Sequence, residues 1–215
     1  MAFIGSVKFG LAGRLVRPAV VAAAVAAVAM AARTAPAAPQ GAQVVRGDVK
    51  FSQTGKNTVI EAGRNSIINY SSFDILQDEA VRFIQPGATS RVLNRIKSNS
   101  PTHIDGSLRA NGIVYFVNPA GIMFGRGAII NVGGIYAGAA NLSNRDFLNR
   151  VNHFSDARGA VTNYGAIYAD AAYLIGRRVA NHGIIVGNKG GVMLLAGEDV
   201  YIGERGGRMM VRLDG

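Results

Sequence analysis

An internal repeat of about twenty residues is the feature that most restricts the fold of this chain. The segment Val161 to Ile167 recurs as Val179 to Ile185, and both copies carry Asn, Gly and Ile at equivalent places. Leu174 to Val179 recurs in a similar way as Leu195 to Val200. A period of about 20 residues is typical of one coil of a β-solenoid, in which each short strand pairs in parallel with its counterpart in the next coil.

Strand-like segments fill the chain beyond residue 40. They are short apolar runs rich in β-branched residues, and no amphipathic segment long enough for a crossover helix lies between them. The run Ile113 to Val117 is apolar throughout, which predicts a strand buried on both faces. An antiparallel β-sandwich with glycine-rich turns is the alternative fold. The predicted strands are Val44–Phe51, Ser66–Tyr70, Val81–Ile84, Val92–Ile96, Ile113–Val117, Ile129–Val132, Tyr173–Ile175, Ile184–Val186, Val192–Leu195 and Val200–Ile202.

The asparagines of the repeat are predicted to occupy the corners between strands. Gly and Asn tolerate the positive φ of tight turns, and Asn side chains stacked at equivalent corners can hydrogen-bond to one another along the column. Asn163 and Asn181 hold this place in the two clearest copies of the repeat. Ile129 to Ile135 shares the Asn-x-Gly-x-Ile core, which predicts a third structural corner at Asn131.

Two segments are predicted to depart from regular coils. Leu142 to Arg150 is predicted to contain one short inserted helix, because Ser143 can cap its first turn and Asp146 follows three residues later. The stretch from Val44 to about Ile60 is the candidate for an N-terminal cap of extra strands over the first coil. The sequence near Gly215 offers no comparable capping segment.

The N-terminal segment has the pattern of a secretory signal. Basic residues precede an uncharged apolar stretch at 19–32, and small residues follow it. As a helix this stretch would span ~21 Å, which is shorter than the ~30 Å of hydrocarbon in a bilayer. We therefore expect a cleaved signal peptide at 1–37 and export by the Sec pathway to the periplasm, with a membrane anchor of marginal length as the alternative. Cleavage after Ala37 and cleavage after Ala31 both fit the pattern.

Composition excludes several functional classes. The chain contains no Cys, so thiolate zinc sites, disulfides and cysteine nucleophiles are excluded. The formal net charge is +10, but the basic residues are scattered and not interleaved with aromatic residues, so nucleic acid is not an expected partner. His103, His153 and His182 show no metal-ligand spacing. We expect neither a metal site nor a cofactor.

Two glycine-rich segments, 104–112 and 117–135, resemble the N-terminal secretion domain of filamentous haemagglutinin-like proteins, and the resemblance extends over roughly residues 40–205. The family motif Asn-Pro-Asn-Gly-Ile has a counterpart in which alanine replaces the central asparagine. A second family motif, Asn-Pro-Asn-Leu, has a degenerate counterpart between Ser98 and Thr102. The residues that match the first motif are Asn118, Pro119, Ala120, Gly121 and Ile122.

The resemblance implies a right-handed parallel β-helix of the pectin-lyase-like kind, with an N-terminal cap, over residues 38–215. It implies a domain of a larger secreted or cell-surface exoprotein with an adhesive role, of which this chain would be a fragment or a short member. The implied partner is an outer-membrane β-barrel transporter, whose periplasmic domains recognise the chain in two-partner secretion and pass it to the cell surface. Glycans of host or neighbouring cells are a further implied partner, and the mature chain would not be transmembrane.

The segment Asn118 to Ile122 then has two readings. Pro119 and Gly121 can fix a sharp turn after a buried strand, and Asn118 can cap that turn with its own side chain. The segment is therefore a structural corner of the coil, a recognition element for the transporter, or both.

No catalytic residue is expected. Asp78-Glu79 and Glu198-Asp199 are sequence neighbours, whose side chains would point to opposite faces of a strand rather than form a carboxylate pair. Because β-helices also carry polysaccharide lyases and hydrolases, a carbohydrate-binding or carbohydrate-active protein is the alternative function. Tyr136, Tyr168 and Tyr173 are the candidates for stacking on sugars, with packing between coils as the favoured role of the same side chains.

Overall fold

The strands of this chain wind into a parallel β-helix of about six turns in the computed structural model, which describes residues 39–205 and 208–215. The predicted signal peptide at 1–37 lies outside the described residues. The elements are β1 (Gln43–Arg46), β2 (Val49–Thr54), β3 (Asn57–Ala62), β4 (Ser66–Tyr70), β5 (Ala80–Ile84), β6 (Arg91–Ile96), β7 (Thr102–Ile104), β8 (Ser107–Val117), β9 (Ile122–Phe124), β10 (Ile129–Gly138), α1 (Asn144–Leu148), β11 (Asn152–Phe154), β12 (Ala160–Asn163), β13 (Ala166–Gly176), β14 (Arg178–Asn181), β15 (Ile184–Gly187), β16 (Val192–Ala196), β17 (Asp199–Arg205) and β18 (Arg208–Asp214).

Two sheets enclose the interior of the β-helix. In the larger sheet, β8, β10 and β13 are long enough to contribute to two faces of each coil. The first half of β8 pairs with β5, which pairs with β3. The second half of β8 pairs with β6, which pairs with β4. The smaller sheet has four parallel strands, β7, β9, β12 and β14. This topology confirms the parallel solenoid, and the β-sandwich alternative is wrong.

Inward-facing apolar side chains stack along the interior because equivalent residues of successive coils lie in register. Ile130 lies between Leu108 and Ile167 on the neighbouring strands, and all three side chains are buried. Phe116 packs its ring edge-to-face against Phe73, with ring centroids 4.9 Å apart. Burial of these columns removes apolar surface from water in every coil, which is the main source of stability in a repeat of this kind.

A second apolar layer covers the outer side of one face, under α1, β11 and β17. Tyr115, Tyr136 and Tyr173 stack in register on three successive strands, with ring centroids 4.3 and 4.4 Å apart. Phe147 of α1 and Phe154 of β11 pack in the same layer. Its presence confirms that the strand at 113–117 is buried on both faces, since alternate side chains enter the interior and this layer.

The inserted helix and the N-terminal cap are confirmed. The Ser143 Oγ accepts a hydrogen bond from the Asp146 backbone N–H at 3.0 Å, so α1 begins as its sequence predicts. At the N-terminal side, β1 pairs antiparallel with β4, and β2 forms an antiparallel hairpin with β3. No described helix is both long and apolar enough to cross a membrane.

Three predicted details are wrong. The run Val44–Phe51 is two strands rather than one, because Gly47 adopts a φ of 92° and turns the chain between β1 and β2. Leu174 pairs with Leu194 and not with Leu195, so the offset of the second repeat is one residue shorter than its letters suggest. Val200 lies in β17, which pairs antiparallel with β11 and β18 and does not continue the parallel coils.

The buried tyrosines predict a loss of stability at alkaline pH. Burial raises the pKa of Tyr70 and of Tyr115, and burial together with the adjacent phenols raises the pKa of Tyr136. Tyrosine in the unfolded chain ionises near pH 10, so the unfolded chain loses these protons at a lower pH than the folded chain does. The stability that the protonated tyrosines contribute is therefore fully present below about pH 10. Above that pH the free energy of unfolding decreases by ~1.4 kcal/mol per pH unit for each group. Urea unfolding at about pH 8 and about pH 11 measures this decrease.

A pair of phenylalanine substitutions separates the aromatic layer from other alkaline effects. Tyr136→Phe removes one of the ionising groups, so the free energy of unfolding of this variant should fall less between the two pH values than that of the wild type. Tyr201→Phe, at an exposed position, is the control for the loss of one tyrosine hydroxyl. Equal slopes in all three proteins would contradict a contribution from Tyr136.

Candidate functional site

The turn that follows β8 is built around the side chain of Asn118, which is fully buried. Its Nδ2 donates hydrogen bonds to the Ser100 carbonyl and to the Thr102 Oγ1, both at 3.0 Å. Its Oδ1 accepts a hydrogen bond from the Ala120 backbone N–H at 3.0 Å. The Asn118 amide therefore closes its own turn and joins it to the preceding coil.

Gly121 and Ile122 complete this turn from the inside. Gly121 adopts a φ of 128°, and a Cβ placed there would lie 3.1 Å from the Ala160 carbonyl oxygen. Its N–H donates to the Asn118 carbonyl at 2.9 Å, and its own carbonyl accepts from the Thr102 N–H at 3.0 Å. Ile122 is buried and opens β9. Both residues shape the coil and present no side chain to solvent.

Pro119 and Ala120 are the members of the turn that reach the surface. They line a groove of about 470 Å³ whose basic residues are Arg95, Lys97 and Arg158. The remaining lining residues are Ile96, Ser98, Asn99, Asn141 and Gly159. Since Ser98 and Asn99 open the degenerate second motif, the structure brings the two segments that resemble family motifs together at one groove.

The three basic groups of the groove differ in how firmly they are held. The Arg95 guanidinium donates to the Leu142 carbonyl at 2.6 Å and to the Asn144 Oδ1 at 2.9 Å, and burial lowers the pKa of Arg95, which remains protonated. Arg158 pairs with the Asp156 carboxylate, which raises the pKa of Arg158. In the described part of the chain the Lys97 ammonium has no hydrogen-bond partner. The groove therefore offers one unpaired and two positioned cations.

Sequence reasoning missed Arg95, Lys97 and Arg158 as candidate site residues. Arg95 lies in β6, Lys97 directly follows β6, and Arg158 precedes β12, so only the winding of the chain brings Arg158 beside the other two. One signal was present, because Lys97 directly precedes the degenerate motif that begins at Ser98.

Of the three predicted asparagine corners, two lie at corners of the coil and one does not. Asn163 and Asn181 end β12 and β14, and the Asn163 Nδ2 donates to the Asn181 Oδ1 at 2.8 Å. Each Oδ1 also accepts the N–H of the glycine two residues later. Asn131 is not at a corner: it is the third residue of β10, exposed on the outer face beside Tyr168 of β13. The Asn-x-Gly-x-Ile pattern at 131–135 is therefore not structurally equivalent to the one at 163–167, because Ile130 rather than Ile135 pairs with Ile167.

The remaining candidate residues do not form a catalytic or metal-binding group. Asp78 pairs with Lys56, Glu198 with Arg177, and the His153 Nε2 lies 3.4 Å from the Asp199 Oδ1. Among residues 39–205 and 208–215, no cluster of three His, Cys, Asp or Glu side chains could hold a metal ion.

The three tyrosines considered for sugar stacking differ in how exposed they are. Tyr173 is buried and Tyr136 is half-buried within the aromatic layer, so neither offers a free ring face. Tyr168 remains exposed on the outer face of β13. His182 stacks on Tyr164 at a corner of the coil, with ring centroids 5.0 Å apart.

Two solved structures to which this chain is similar are secretion domains. The HMW1 secretion domain from Haemophilus influenzae superposes with a TM-score of 0.74 and 36% sequence identity, over 76% of this chain and 46% of that one. The filamentous hemagglutinin secretion domain superposes with a TM-score of 0.52 over 82% of this chain and 69% of that one. Its 17% identity supports the shared fold alone.

Curated relatives match about half of the chain. A heme/hemopexin-binding protein of Haemophilus influenzae is 41% identical over 105 residues, which are 48% of this chain and 12% of that protein. A second Haemophilus influenzae protein of the same name is 37% identical over 106 residues, 48% of this chain and 11% of that protein. The matched segment thus spans about an eighth of the length of these relatives.

The model of one protein family covers most of the chain. It is described as the TPS secretion domain and matches residues 35–211, which include the β-helix, the turn at Asn118 and the basic groove. This match agrees with the resemblance carried by Asn118 to Ile122 and with the superposition on the HMW1 domain. The chain belongs to the TPS secretion domain family.

Proposed function

We propose that this secretion domain directs two-partner secretion through an outer-membrane β-barrel transporter, and that the groove beside the Asn118 turn is the surface contacted by the transporter's periplasmic domains. One observation carries the proposal: both segments that resemble family motifs line the same groove. Within the first segment Pro119 and Ala120 are the surface residues, so Asn118, Gly121 and Ile122 contribute by holding the turn in shape.

The β-helix offers a physical reason for export in the N-to-C direction. Each coil covers the apolar edge of the one before, so an N-terminal nucleus can template the coils that follow as the chain emerges. Folding on the far side of the membrane then disfavours backward movement of the chain. The antiparallel pairs formed by β1 and by β2 protect the first coil from pairing with other chains.

The proposal includes the route and the context of the domain. Residues 1–37 direct Sec-dependent entry into the periplasm and are removed, after which the domain is passed to the cell surface or the medium. Residues 38–215 are then part of a larger exoprotein whose other regions would carry adhesion or ligand binding. Heme binding is not assigned to this chain, because the segment that it shares with the heme/hemopexin-binding proteins is about an eighth of their length.

A groove-filling substitution tests the proposal. Ala120→Phe places a large side chain in the groove and leaves the Ala120 backbone N–H free to keep its hydrogen bond to Asn118. We expect the wild type to reach the medium only when a two-partner transporter is co-expressed. We expect the variant to accumulate in the periplasm, with secretion reduced about tenfold or more, because the phenyl ring excludes the transporter side chain that fills the groove and the loss of one interface hot spot costs ~2 kcal/mol or more.

Ala88→Phe is the matched control, since Ala88 is exposed in a turn that does not line the groove. It should be secreted like the wild type. Circular dichroism and urea unfolding of both purified variants check that the fold is kept. If folded Ala120→Phe is secreted as efficiently as Ala88→Phe, the groove is not the recognition surface and the segment is only a corner of the coil.

No second function is proposed. The relatives are described as secretion domains and as binding proteins, not as enzymes. The acidic candidates for a glycosidase pair, Asp78 and Glu198, are each bound to a basic side chain instead of to a second carboxylate.

A further inference from the structure

The outer face of the first coils carries two adjacent arginines. Arg82 of β5 lies directly beside Arg109 of β8 in parallel register. Neighbouring strands are about 4.8 Å apart, so the two side chains leave the sheet side by side. Both are exposed, and within the described residues neither guanidinium has a hydrogen-bond or salt-bridge partner. We propose that Arg82 and Arg109 together bind the phosphate monoester group of a ligand.

This pair has no evident structural purpose. Like charges directly opposite each other on neighbouring strands repel and destabilise the sheet. The next residues in the same row are Val59 on one side and Asn131 on the other, so no carboxylate relieves the repulsion. The acid closest in register on this face, Glu61 of β3, lies in the next row and faces Lys50 of β2. The two positive charges are therefore available to an external anion.

The presence of two guanidiniums side by side favours a phosphate monoester over a carboxylate. Each guanidinium presents a planar fork of N–H donors, and one fork is sufficient for the two oxygens and single charge of a carboxylate. A phosphate monoester carries a charge of about −1.5 to −2 and three terminal oxygens, so it can use both forks at once. Asn131, exposed beside Arg109, adds a side-chain donor from the following coil.

The surface around the pair has room for the rest of the ligand. One hollow of about 450 Å³ is lined by Arg82, Arg109 and Asn131, together with Ile84. A second hollow of about 310 Å³ lies on the other side of the same arginines and includes Ser107. A phosphate held between the guanidiniums would thus have a hollow on either side in which a sugar or similar body can rest.

This site is independent of the proposed export function. The residues of the transport groove, among them Lys97, Ala120 and Arg158, line neither hollow. A loss of phosphate binding should therefore leave secretion unchanged, and a loss of secretion by Ala120→Phe should leave phosphate binding unchanged.

Titration with small sugars followed by NMR of the arginine side chains tests the proposal. The full chain is titrated with glucose 6-phosphate, glucose 6-sulfate, glucuronate, glucose and inorganic phosphate. We expect glucose 6-phosphate to shift the Nε–H signals of Arg82 and Arg109 saturably. Glucuronate and glucose should bind about tenfold more weakly or not at all, because they lack the second charge and the third oxygen. Glucose 6-sulfate, with the same shape and one charge, should fall between them.

Two double variants with the same change in net charge separate a site from general electrostatic attraction. Arg82→Ala with Arg109→Ala should weaken glucose 6-phosphate binding about tenfold or more, whereas Arg64→Ala with Arg178→Ala, at exposed positions elsewhere, should change it less than about twofold. Circular dichroism checks that both variants are folded. Arg82→Lys with Arg109→Lys keeps the charge and loses the forks, so it should bind more weakly than the wild type.

Equal weakening by the two alanine pairs, or no saturable shift in the wild type, would overturn the proposal. Equal affinity for glucuronate and glucose 6-phosphate would also overturn it, because a carboxylate would then suffice. Inorganic phosphate binding as tightly as glucose 6-phosphate supports the phosphate site and shows that the sugar makes no contribution in the hollows.

Discussion

Replacing Phe116 with alanine should lower the free energy of unfolding by about 3–5 kcal/mol, the range observed when a buried phenylalanine is truncated in a well-packed core. Phe116 is fully buried in β8, at the centre of the interior column. Its ring packs edge-to-face on Phe73 at 4.9 Å and on Phe83 at 6.3 Å between ring centroids. The strands on either side are held in a parallel ladder, so they cannot close the cavity without breaking register.

Urea unfolding followed by circular dichroism measures this effect. Phe51→Ala is the matched control, because Phe51 lies on the exposed strand β2 and its side chain is 42% accessible. It should lower the free energy of unfolding by less than about 2 kcal/mol, because a large part of its side chain already lies in water. Similar losses at Phe51 and Phe116 would mean that the interior column does not dominate stability.

The sequence allowed the fold to be predicted where local signals repeat or are self-contained. Val161 and Val179 lie in register on β12 and β14, as their eighteen-residue repeat predicts. The start of α1 follows from Ser143 and Asp146 alone, because a helix cap is satisfied within a few residues. Both features can be read from the sequence, because one is a repeated segment and the other involves residues only three positions apart.

The strand register was predicted wrongly where the two copies of the repeat share only similar residue types. The segment at 195–200 matches the segment at 174–179 in sequence, yet Leu174 pairs with Leu194, one residue away from the predicted partner. A slip of one residue exchanges the faces of every side chain in a strand, so the pairing is decided by which face is buried. The departure of β17 into antiparallel pairs depends on Val200 and Ile202 packing into the second apolar layer, which the repeat does not encode.

The candidate site was predictable as a turn but not as a groove. Asn118, Pro119 and Gly121 form a local unit, and their hydrogen bonds and φ follow from residue type. The basic lining depends on Arg95 and Arg158, which become neighbours only after the coils are wound. The sequence therefore indicates where the chain turns, and the fold determines which charges surround the turn.

The corner glycines have a different physical role from the one their sequence predicts. Gly106, Gly165 and Gly183 precede strands at equivalent corners, and none of them adopts a positive φ. A Cβ at Gly165 would lie 2.6 Å from the Gly125 carbonyl oxygen, and a Cβ at Gly183 would lie 2.1 Å from the Gly165 carbonyl oxygen. Glycine is needed at these corners because the backbone of the preceding coil passes too close for a side chain.

Gly106→Ala should accordingly lower the free energy of unfolding by about 3 kcal/mol, at the upper end of the range for an overpacked core position. Its Cβ would lie 2.1 Å from the Leu76 carbonyl oxygen and 2.4 Å from the Glu79 carbonyl oxygen. Both atoms are backbone and cannot rotate away. The Glu79 carbonyl also accepts the Ser107 N–H at 2.9 Å, so moving it breaks the first hydrogen bond between the neighbouring corner and β8.

Gly87→Ala is the control for this substitution, because a Cβ at Gly87 meets no atom within 4 Å and its φ lies outside the left-handed region. It should be neutral or should raise the free energy of unfolding slightly, by about 0.4–1 kcal/mol, since alanine restricts the unfolded chain. Urea unfolding of both variants measures the difference. If Gly106→Ala proves as stable as Gly87→Ala, close approach between coils does not explain the corner glycines. Their recurrence at equivalent corners must then have another physical cause.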